Sequence, residues 1–67
     1  MVTKYRTPVH TGYYGSSTVT KTLAAKTSVR TYYKCVNSYG NVWYEITGKM
    51  DQDTSKSRFI YSGNLMP

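Results

Sequence analysis

Few side chains of this sequence could act as acids, bases or nucleophiles. The chain has 67 residues, and those side chains are Glu45, Asp51, Asp53, His10 and Cys35. Hydrolytic chemistry requires a nucleophile beside a base, a pair of carboxylates or a bound metal. Glu45 falls within an aromatic, strand-like run, whereas the two aspartates fall in a polar stretch, so the pattern indicates no catalytic pair. We therefore expect a protein that is not an enzyme.

The sequence also has too few suitable side chains for a metal site or for thiol chemistry. One cysteine forms no intrachain disulfide, and one cysteine with one histidine cannot complete a four-ligand zinc site. Asp51 and Asp53 have the spacing that begins a calcium loop, but the glycine and the distal glutamate of that motif are missing. Cys35 and His10 could in principle form a thiol–imidazole pair, but Cys35 shares the apolar face of a strand-like run with Val29. Buried cysteines usually behave as small hydrophobes, so we expect neither a metal site nor a cofactor.

Tyrosines carry the stronger functional signal, since the chain has eight of them. Tyr13 and Tyr14 lie between glycines in a loop predicted over residues 10–17, and Tyr39 lies in a second segment rich in turn-forming residues. Side chains in such loops are expected to be exposed. A tyrosine ring offers contact area at low entropic cost while its hydroxyl still forms hydrogen bonds. An exposed aromatic cluster therefore predicts a binding surface.

The elements that must position these tyrosines are predicted to be strands. β-branched and aromatic residues occur along the whole chain, whereas Leu, Ala and Glu are scarce, and the first group suits a half-buried pleated sheet. Pro8 cannot donate to a sheet ladder, so residues 4–10 are predicted to form an edge strand or a strand that ends at the proline. Residues 18–23 alternate as a strand, although a short helix over 19–26 competes with that interpretation. The threonines disfavour the helix, and residues 24–27 predict a turn without glycine.

The clearest local pattern is that of a β-hairpin in the middle of the chain. Residues 28–36 alternate in character, and five turn-forming residues at 37–41 separate them from the β-rich run 42–47. One face of the first run is predicted to be buried and the other exposed. The predicted buried face carries Val29, Thr31, Tyr33 and Cys35, and the exposed face carries Arg30, Tyr32, Lys34 and Val36.

The last third of the chain completes the predicted sheet. Residues 48–57 are polar apart from Met50 and predict a surface loop, residues 58–61 return to strand character, and Leu65 is expected to plug the core after a turn. A chain this short has a thin stability margin. Closing a short sheet on itself removes its exposed edges and buries one face without a helix, which predicts an all-β barrel of about five short antiparallel strands. Residues 1–67 are expected to form a single domain.

Two segments of this pattern resemble a known family. Tyr-Tyr-Lys-Cys-Val at 32–36, the Asn-Ser-Tyr-Gly-Asn turn and Val-Trp-Tyr-Glu-Ile at 42–46 resemble the middle of bacterial SH3-like (SH3b) domains. Arg-Phe-Ile-Tyr-Ser-Gly-Asn-Leu at 58–65 resembles the closing element of the cell-wall-targeting type found in lysostaphin-like hydrolases. The Asn-Val-Arg-Ser-Gly opening of that family and its glycine–tryptophan pair before the last strand are absent. The resemblance implies a small SH3-like β-barrel.

The same resemblance implies a function and a location. It implies a non-catalytic, secreted binding module, part of a larger protein, that attaches to peptidoglycan peptides or an anionic wall polymer outside the cell. The ligand groove would lie between the long first loop and the turn of the central hairpin. Aromatic rings would form its floor and walls, and an asparagine would offer amide hydrogen bonds. The residues implied for this groove are Tyr13, Tyr14, Tyr39, Trp43, Tyr61 and Asn64.

The charge of the chain leaves other partners open. Nine Lys and Arg against three Asp and Glu give a formal net charge of +6, which favours polyanionic partners or simply keeps a tyrosine-rich domain soluble. Small basic β-barrels with stacking aromatics also bind single-stranded nucleic acid, although no dense basic run occurs here. A protein–protein interaction module is a further alternative. No apolar run approaches the roughly 20 residues that span a bilayer, and the N-terminus lacks the pattern of a signal peptide.

Overall fold

The computed structural model describes residues 1–50 and 54–67, and that part of the chain folds as strands joined by turns. Two 3₁₀ turns, Thr54–Lys56 and Ser62–Asn64, precede the last two strands. No helix in the described ranges is long and apolar enough to cross a membrane. The strands are β1 (Val2–Thr3), β2 (Thr7–His10), β3 (Val19–Leu23), β4 (Tyr33–Val36), β5 (Val42–Glu45), β6 (Phe59–Tyr61) and β7 (Leu65–Met66).

All the strand pairs are antiparallel, and they form two sheets. The larger sheet has five strands in the order β3-β2-β6-β5-β4, and β1 pairs with β7 in the smaller one. The predicted all-β fold with about five short antiparallel strands is therefore confirmed, and the arrangement is compatible with an SH3-like domain. The predicted closure of the sheet into a barrel is not found in the described ranges, because β3 and β4 lie at its opposite edges and do not pair with each other. Between β2 and β6 the ladder is reduced to the pair His10 and Phe59, so the sheet is weakly joined at its middle.

The hydrophobic core lies on one side of the central strands. Val9 and Ile60 are fully buried, and Val29 and Leu65 pack with them. Leu65 is buried in the core as predicted, immediately after the second 3₁₀ turn. Burying each of these aliphatic side chains contributes about 1.5–3 kcal/mol. Three partly buried residues extend the cluster: Leu23, Tyr44 and Ile46.

The predicted central hairpin is present, with a shorter first strand than expected. β4 and β5 pair from Tyr33 opposite Glu45 to Val36 opposite Val42. The ladder does not extend back to residue 28, because the Val29 N–H donates to the Met1 carbonyl and Ser28 bridges to β1; nearer the hairpin, the Tyr32 N–H still donates to the Glu45 carbonyl at 2.8 Å. The predicted alternation nevertheless holds, since the members of the first face are half-buried or buried and those of the second are exposed.

Residues 4–10 were predicted to form an edge strand or a strand that ends at Pro8, and both forms of that prediction were wrong. β2 lies inside the sheet between β3 and β6, and the edge is formed by β3, which is a strand rather than a helix. Pro8 is tolerated inside the sheet because β6 pairs with β2 only at His10, so no neighbour on that side requires an N–H from the proline. Ser57, predicted to lie in a surface loop, is also buried.

The turn predicted at residues 24–27 contains a lysine where glycine would be unstrained. Lys26 has φ 61°, in the left-handed region that a side chain disfavours. The turn is held by Thr3, whose buried hydroxyl donates to the Ala24 carbonyl at 2.8 Å and accepts from the Thr27 N–H at 2.8 Å. The Lys26 N–H also donates to the Thr3 carbonyl at 2.8 Å. Strand β1 therefore fixes this turn through both its backbone and its side chain.

Candidate binding surface

Three of the predicted site tyrosines form one surface, here called the tyrosine patch: Tyr13, Tyr14 and Tyr39. The Tyr13 and Tyr14 rings stack with centroids 5.5 Å apart. Tyr14 meets Tyr39 edge-on at 5.8 Å, and Tyr39 is 79 % exposed. The first loop and the hairpin turn therefore bring together residues that are 25 positions apart in sequence (14 and 39).

Asn37 connects the two loops that carry the tyrosine patch. Its side-chain amide donates to the Tyr13 carbonyl at 2.9 Å, and its side-chain oxygen accepts from the N–H groups of Tyr39 and Asn41 at 3.0 and 3.1 Å. Asn37 is buried, so these bonds are shielded from water. The hairpin turn closes through Gly40 at φ 81°, a conformation that glycine adopts without strain. The sequence marked Asn37 as a turn residue, but nothing local marked its bond to the first loop.

Ser38 fixes the hydroxyl end of Tyr14. The Tyr14 hydroxyl donates to the Ser38 Oγ at 3.1 Å and accepts from the Ser38 N–H at 3.1 Å. Hydrogen bonding with the Ser38 side chain, and next the hydrogen bond from the Ser38 N–H, lower the pKa of Tyr14 below the ordinary value for tyrosine. With its hydroxyl engaged, Tyr14 presents its ring rather than its oxygen to a ligand.

Trp43 and Tyr61 form a second aromatic group beside the patch. They are direct cross-strand partners with ring centroids 5.6 Å apart, and Trp43 is buried while Tyr61 is partly exposed. The His10 ring meets Trp43 edge-on at 5.0 Å. Its Nδ1 donates to the Ser17 carbonyl at 2.9 Å, since a carbonyl can only accept, and this bond ties the first loop to β2. The buried Nε1 of Trp43 has no hydrogen-bond partner in the described part of the chain.

Phe59 joins the two aromatic groups. Its ring lies 5.4 Å from that of Tyr13, and in the sheet it pairs with His10. Phe59 is buried, so it supports the tyrosine patch from below rather than offering a contact surface. The prediction did not include Phe59, because in sequence it is only one apolar residue of a short strand.

Asn64, the remaining predicted site residue, lies at the second 3₁₀ turn. It is the last residue of that turn, which follows Tyr61. Its backbone carbonyl accepts from the Lys4 N–H at 2.8 Å. Gly63 in the same turn lies under the Tyr61 ring, since a Cβ at this position would stand 2.4 Å from the ring. The described hydrogen bond of Asn64 therefore joins it to Lys4, the residue after β1, and not to the tyrosine patch.

A pocket of about 290 Å³ opens next to the patch, between the first loop and the loop that follows β5. Tyr13 belongs to both the pocket and the patch. Ser57 is 2 % exposed, and its Oγ has no hydrogen-bond partner in the described ranges. An unpaired buried hydroxyl costs about 1–3 kcal/mol of stability. The described residues that line the pocket are Thr11, Gly12, Tyr13, Met50, Thr54, Ser57 and Phe59.

Glu45 anchors the loop that forms the far wall of this pocket. Its fully buried carboxylate accepts from the Thr47 hydroxyl at 2.5 Å and from the N–H groups of Gly48 and Arg58 at 2.6 and 2.9 Å. The Thr47 N–H also points at both oxygens, at 2.9 and 3.0 Å. Burial alone would raise the pKa of Glu45, but the hydrogen bonds from Thr47, Arg58 and Gly48 outweigh it and hold the pKa below its ordinary value. This carboxylate is therefore a charged structural anchor.

Cys35 lies under the same loop. Its Sγ stands 3.8 Å from the Met50 Sδ, and the side chain is half-buried. Burial, and next the negative charge of Glu45, raises the pKa of the Cys35 thiol, which favours the unreactive thiol form. No group of three or more His, Cys, Asp or Glu side chains that could hold a metal lies within residues 1–50 and 54–67.

No family model, curated protein or solved structure matches the chain. The residues of the surface itself therefore carry the functional inference.

Proposed function

We propose that this chain is a non-catalytic binding module that attaches to the bacterial cell wall through the tyrosine patch. The observation that carries the proposal is the patch: stacked Tyr13 and Tyr14 rings, an exposed Tyr39, and buried hydrogen bonds from Asn37 that hold both loops. The resemblance to SH3b domains supports the same surface. The proposal implies an extracellular location, at the wall.

The physical basis of the proposal is preorganisation. A ligand loses less free energy in binding when the groups that contact it are already ordered. Tyr14 is fixed at both ring and hydroxyl, and the turn that carries Tyr39 is closed by Asn37. The neighbouring pocket, of about 290 Å³, has room for a small side group. A short peptide of small residues, such as the peptide of peptidoglycan, suits an exposed aromatic surface with one such pocket.

Co-sedimentation with peptidoglycan freed of anionic polymers tests the proposal. We expect the domain to sediment at physiological salt, and Tyr39→Ala to weaken binding about 10- to 30-fold, as for other aromatic anchors of interfaces. Tyr5→Ala is the matched control, since Tyr5 is 60 % exposed and lies outside the patch. A domain that stays in the supernatant, or a Tyr5→Ala loss equal to that of Tyr39→Ala, would contradict the proposal.

Single-stranded nucleic acid is the second candidate ligand, favoured by the net charge of +6 beside exposed rings. It predicts oligonucleotide binding that weakens steeply as salt rises. Binding that is absent at low salt, or that does not change across a salt series, would exclude this candidate.

A further inference from the structure

The outer edge of β4 is open in the described part of the chain. There β4 pairs with β5 alone, because it is the last strand of the larger sheet. The pairs of this ladder follow one another without a register shift, from Tyr33 opposite Glu45 to Val36 opposite Val42. A regular edge of this kind keeps its main-chain donors and acceptors at the spacing that an added strand requires.

One hydrogen bond shows which residues of β4 turn their backbone groups outward. The Asn37 N–H donates to the Asn41 carbonyl at 3.0 Å, so this pair continues the β4–β5 ladder with its backbone groups facing inward. The backbone groups of successive residues in a strand alternate in direction, so those of Cys35 also face β5. The N–H and C=O groups of Lys34 and Val36 therefore point away from the sheet.

A second copy of the chain can add to this edge in antiparallel orientation only in certain registers. Outward-facing residues must lie opposite outward-facing residues, so a two-fold arrangement is centred on Lys34, on Cys35 or on Val36. Centring on Lys34 places two lysines directly opposite each other, which is unfavourable. Centring on Val36 pairs most of β4 with the turn at 37–41. The register centred on Cys35 uses the whole of β4, and it places Lys34 of each copy opposite Val36 of the other.

The side chains at this edge complement one another in that register. Val36 is 56 % exposed and lies on the same face as its cross-strand partner Val42, so it presents apolar surface at the rim of the sheet. The alkyl stem of Lys34 from the second copy can cover this surface while its ammonium group stays in water. The two Cys35 residues form a pair without direct hydrogen bonds, in which the Cα atoms stand about 4.5 Å apart.

We propose that this chain forms a two-fold dimer by antiparallel pairing of β4 with β4 of a second copy, centred on Cys35. The interface lies outside the tyrosine patch and does not rest on the proposed function. It is only a few residues long, so it belongs with the weak interfaces that bury less than about 1,200 Å². The turn that carries Tyr39 follows β4 directly, so the dimer presents two tyrosine patches to a ligand with repeating units.

Analytical ultracentrifugation without ligand, up to about 1 mM protein, tests the dimer over a range suited to weak association. Val36→Lys places lysines opposite each other at two symmetric positions, whereas Val36→Glu places a glutamate opposite each Lys34. The dissociation constant of Val36→Lys should therefore exceed that of Val36→Glu by about 10-fold or more. Adding Lys34→Glu to Val36→Lys should restore the dimer, because opposite charges then face each other again.

Val19 supplies the matched controls, since it is a valine on the other edge strand and is 48 % exposed. Val19→Lys and Val19→Glu change the net charge by the same amounts as the two Val36 variants. With salt screening the general repulsion, their dissociation constants should differ by less than about 3-fold. Matching urea midpoints confirm that the variants are folded, and the restored dimer of the double variant provides the same assurance through association itself.

Oxidative cross-linking tests the register. Diamide takes two hydrogen atoms from a pair of thiols and leaves one disulfide, and Cα atoms about 4.5 Å apart lie within the range that a disulfide spans. Cys35 should therefore be captured as a covalent dimer, more in Val36→Glu than in Val36→Lys. Burial raises the pKa of this thiol, so the reaction is run in mildly alkaline buffer. Val19→Cys in a Cys35→Ala chain is the control, and it should remain uncaptured.

Three outcomes overturn the inference. The first is a chain that stays monomeric at about 1 mM, the upper end of the range for weak association. The second is an equal dissociation constant for Val36→Lys and Val36→Glu, and a larger difference between the Val19 variants would place the contact at β3 instead. The third is a dimer in the ultracentrifuge whose Cys35 thiols are not captured, which would exclude this register. None of these outcomes depends on wall binding, so the dimer and the proposed function can fail separately.

Discussion

Replacing Glu45 by Gln tests whether one buried carboxylate holds the loop beside the pocket. Glutamine keeps the shape of the side chain but exchanges one acceptor oxygen for an NH₂ donor. In the native domain that oxygen accepts from the Thr47 hydroxyl and the Arg58 N–H, or, in the other orientation, from the Gly48 N–H. Either orientation turns a donor toward a donor inside the protein.

The size of the loss follows from these contacts. A hydrogen bond to a charged group contributes about 1.5–3 kcal/mol, and a buried N–H left unpaired costs about 1–3 kcal/mol. Losing one or two such bonds should lower the free energy of unfolding by about 2–4 kcal/mol. A domain of 67 residues is stable by about 3–10 kcal/mol in total, so the variant should lie close to its unfolding threshold.

The pH dependence gives a second, independent signature. The pKa of Glu45 is lowered in the folded protein, so its contribution is fully present above the unfolded value of about 4.3 and is lost as pH falls through the folded pKa. The difference between the native protein and Glu45→Gln should therefore be largest near neutral pH and should shrink in acid.

Urea unfolding followed by tryptophan fluorescence across a pH series measures both signatures. Lys49→Gln, an exposed substitution in the same loop, should change the stability by no more than about 0.5 kcal/mol and serves as the control. A Glu45→Gln loss below about 0.5 kcal/mol, or a loss that stays constant from neutral pH into acid, would refute the role assigned to this carboxylate.

Three further substitutions test the turns and the aromatic supports. Lys26→Gly should raise the free energy of unfolding by up to about 1 kcal/mol, and with it the urea midpoint, since glycine relieves the left-handed strain at φ 61°; a lower midpoint would contradict the backbone conformation. Thr3→Val should cost about 1–3 kcal/mol and lower the Tm, because its buried hydroxyl is paired with Ala24 and Thr27; an unchanged Tm would show those bonds to be dispensable. Gly63→Ala should displace the Tyr61 ring, cost about 1–3 kcal/mol and alter the near-UV circular dichroism, whereas Gly15→Ala, with open space around it, should do neither.

The features that the sequence predicted correctly are those that depend on residues close together in the chain. The hairpin around residues 37–41 was predicted because turn formers separate two β-rich runs, and the structure pairs β4 with β5 there. Leu65 was predicted to fill the core because it is an isolated large aliphatic residue after a turn. The loop positions of Tyr13, Tyr14 and Tyr39 followed from the glycines around them.

What the sequence did not predict depends on contacts between distant segments. Pro8 was read as an edge signal, but the sheet order is decided by pairing with β6, about fifty residues later in the chain. The bond from Asn37 to the Tyr13 carbonyl spans 24 positions, and no local pattern marks it. Ser57 was placed in a surface loop from its polar neighbours, yet the anchoring of that loop by Glu45 brings it inside.

The unpaired edge strand β3 has a consequence for self-association. Its outer edge offers free backbone groups in the described part of the chain, and such an edge is a template on which a second copy can add a strand. Lys21 stands at the centre of β3 and is exposed, so two copies aligned edge to edge would bring like charges together. Lys21 therefore disfavours strand addition at the β3 edge, and we expect Lys21→Val to make self-association at this edge easier while leaving the fold intact.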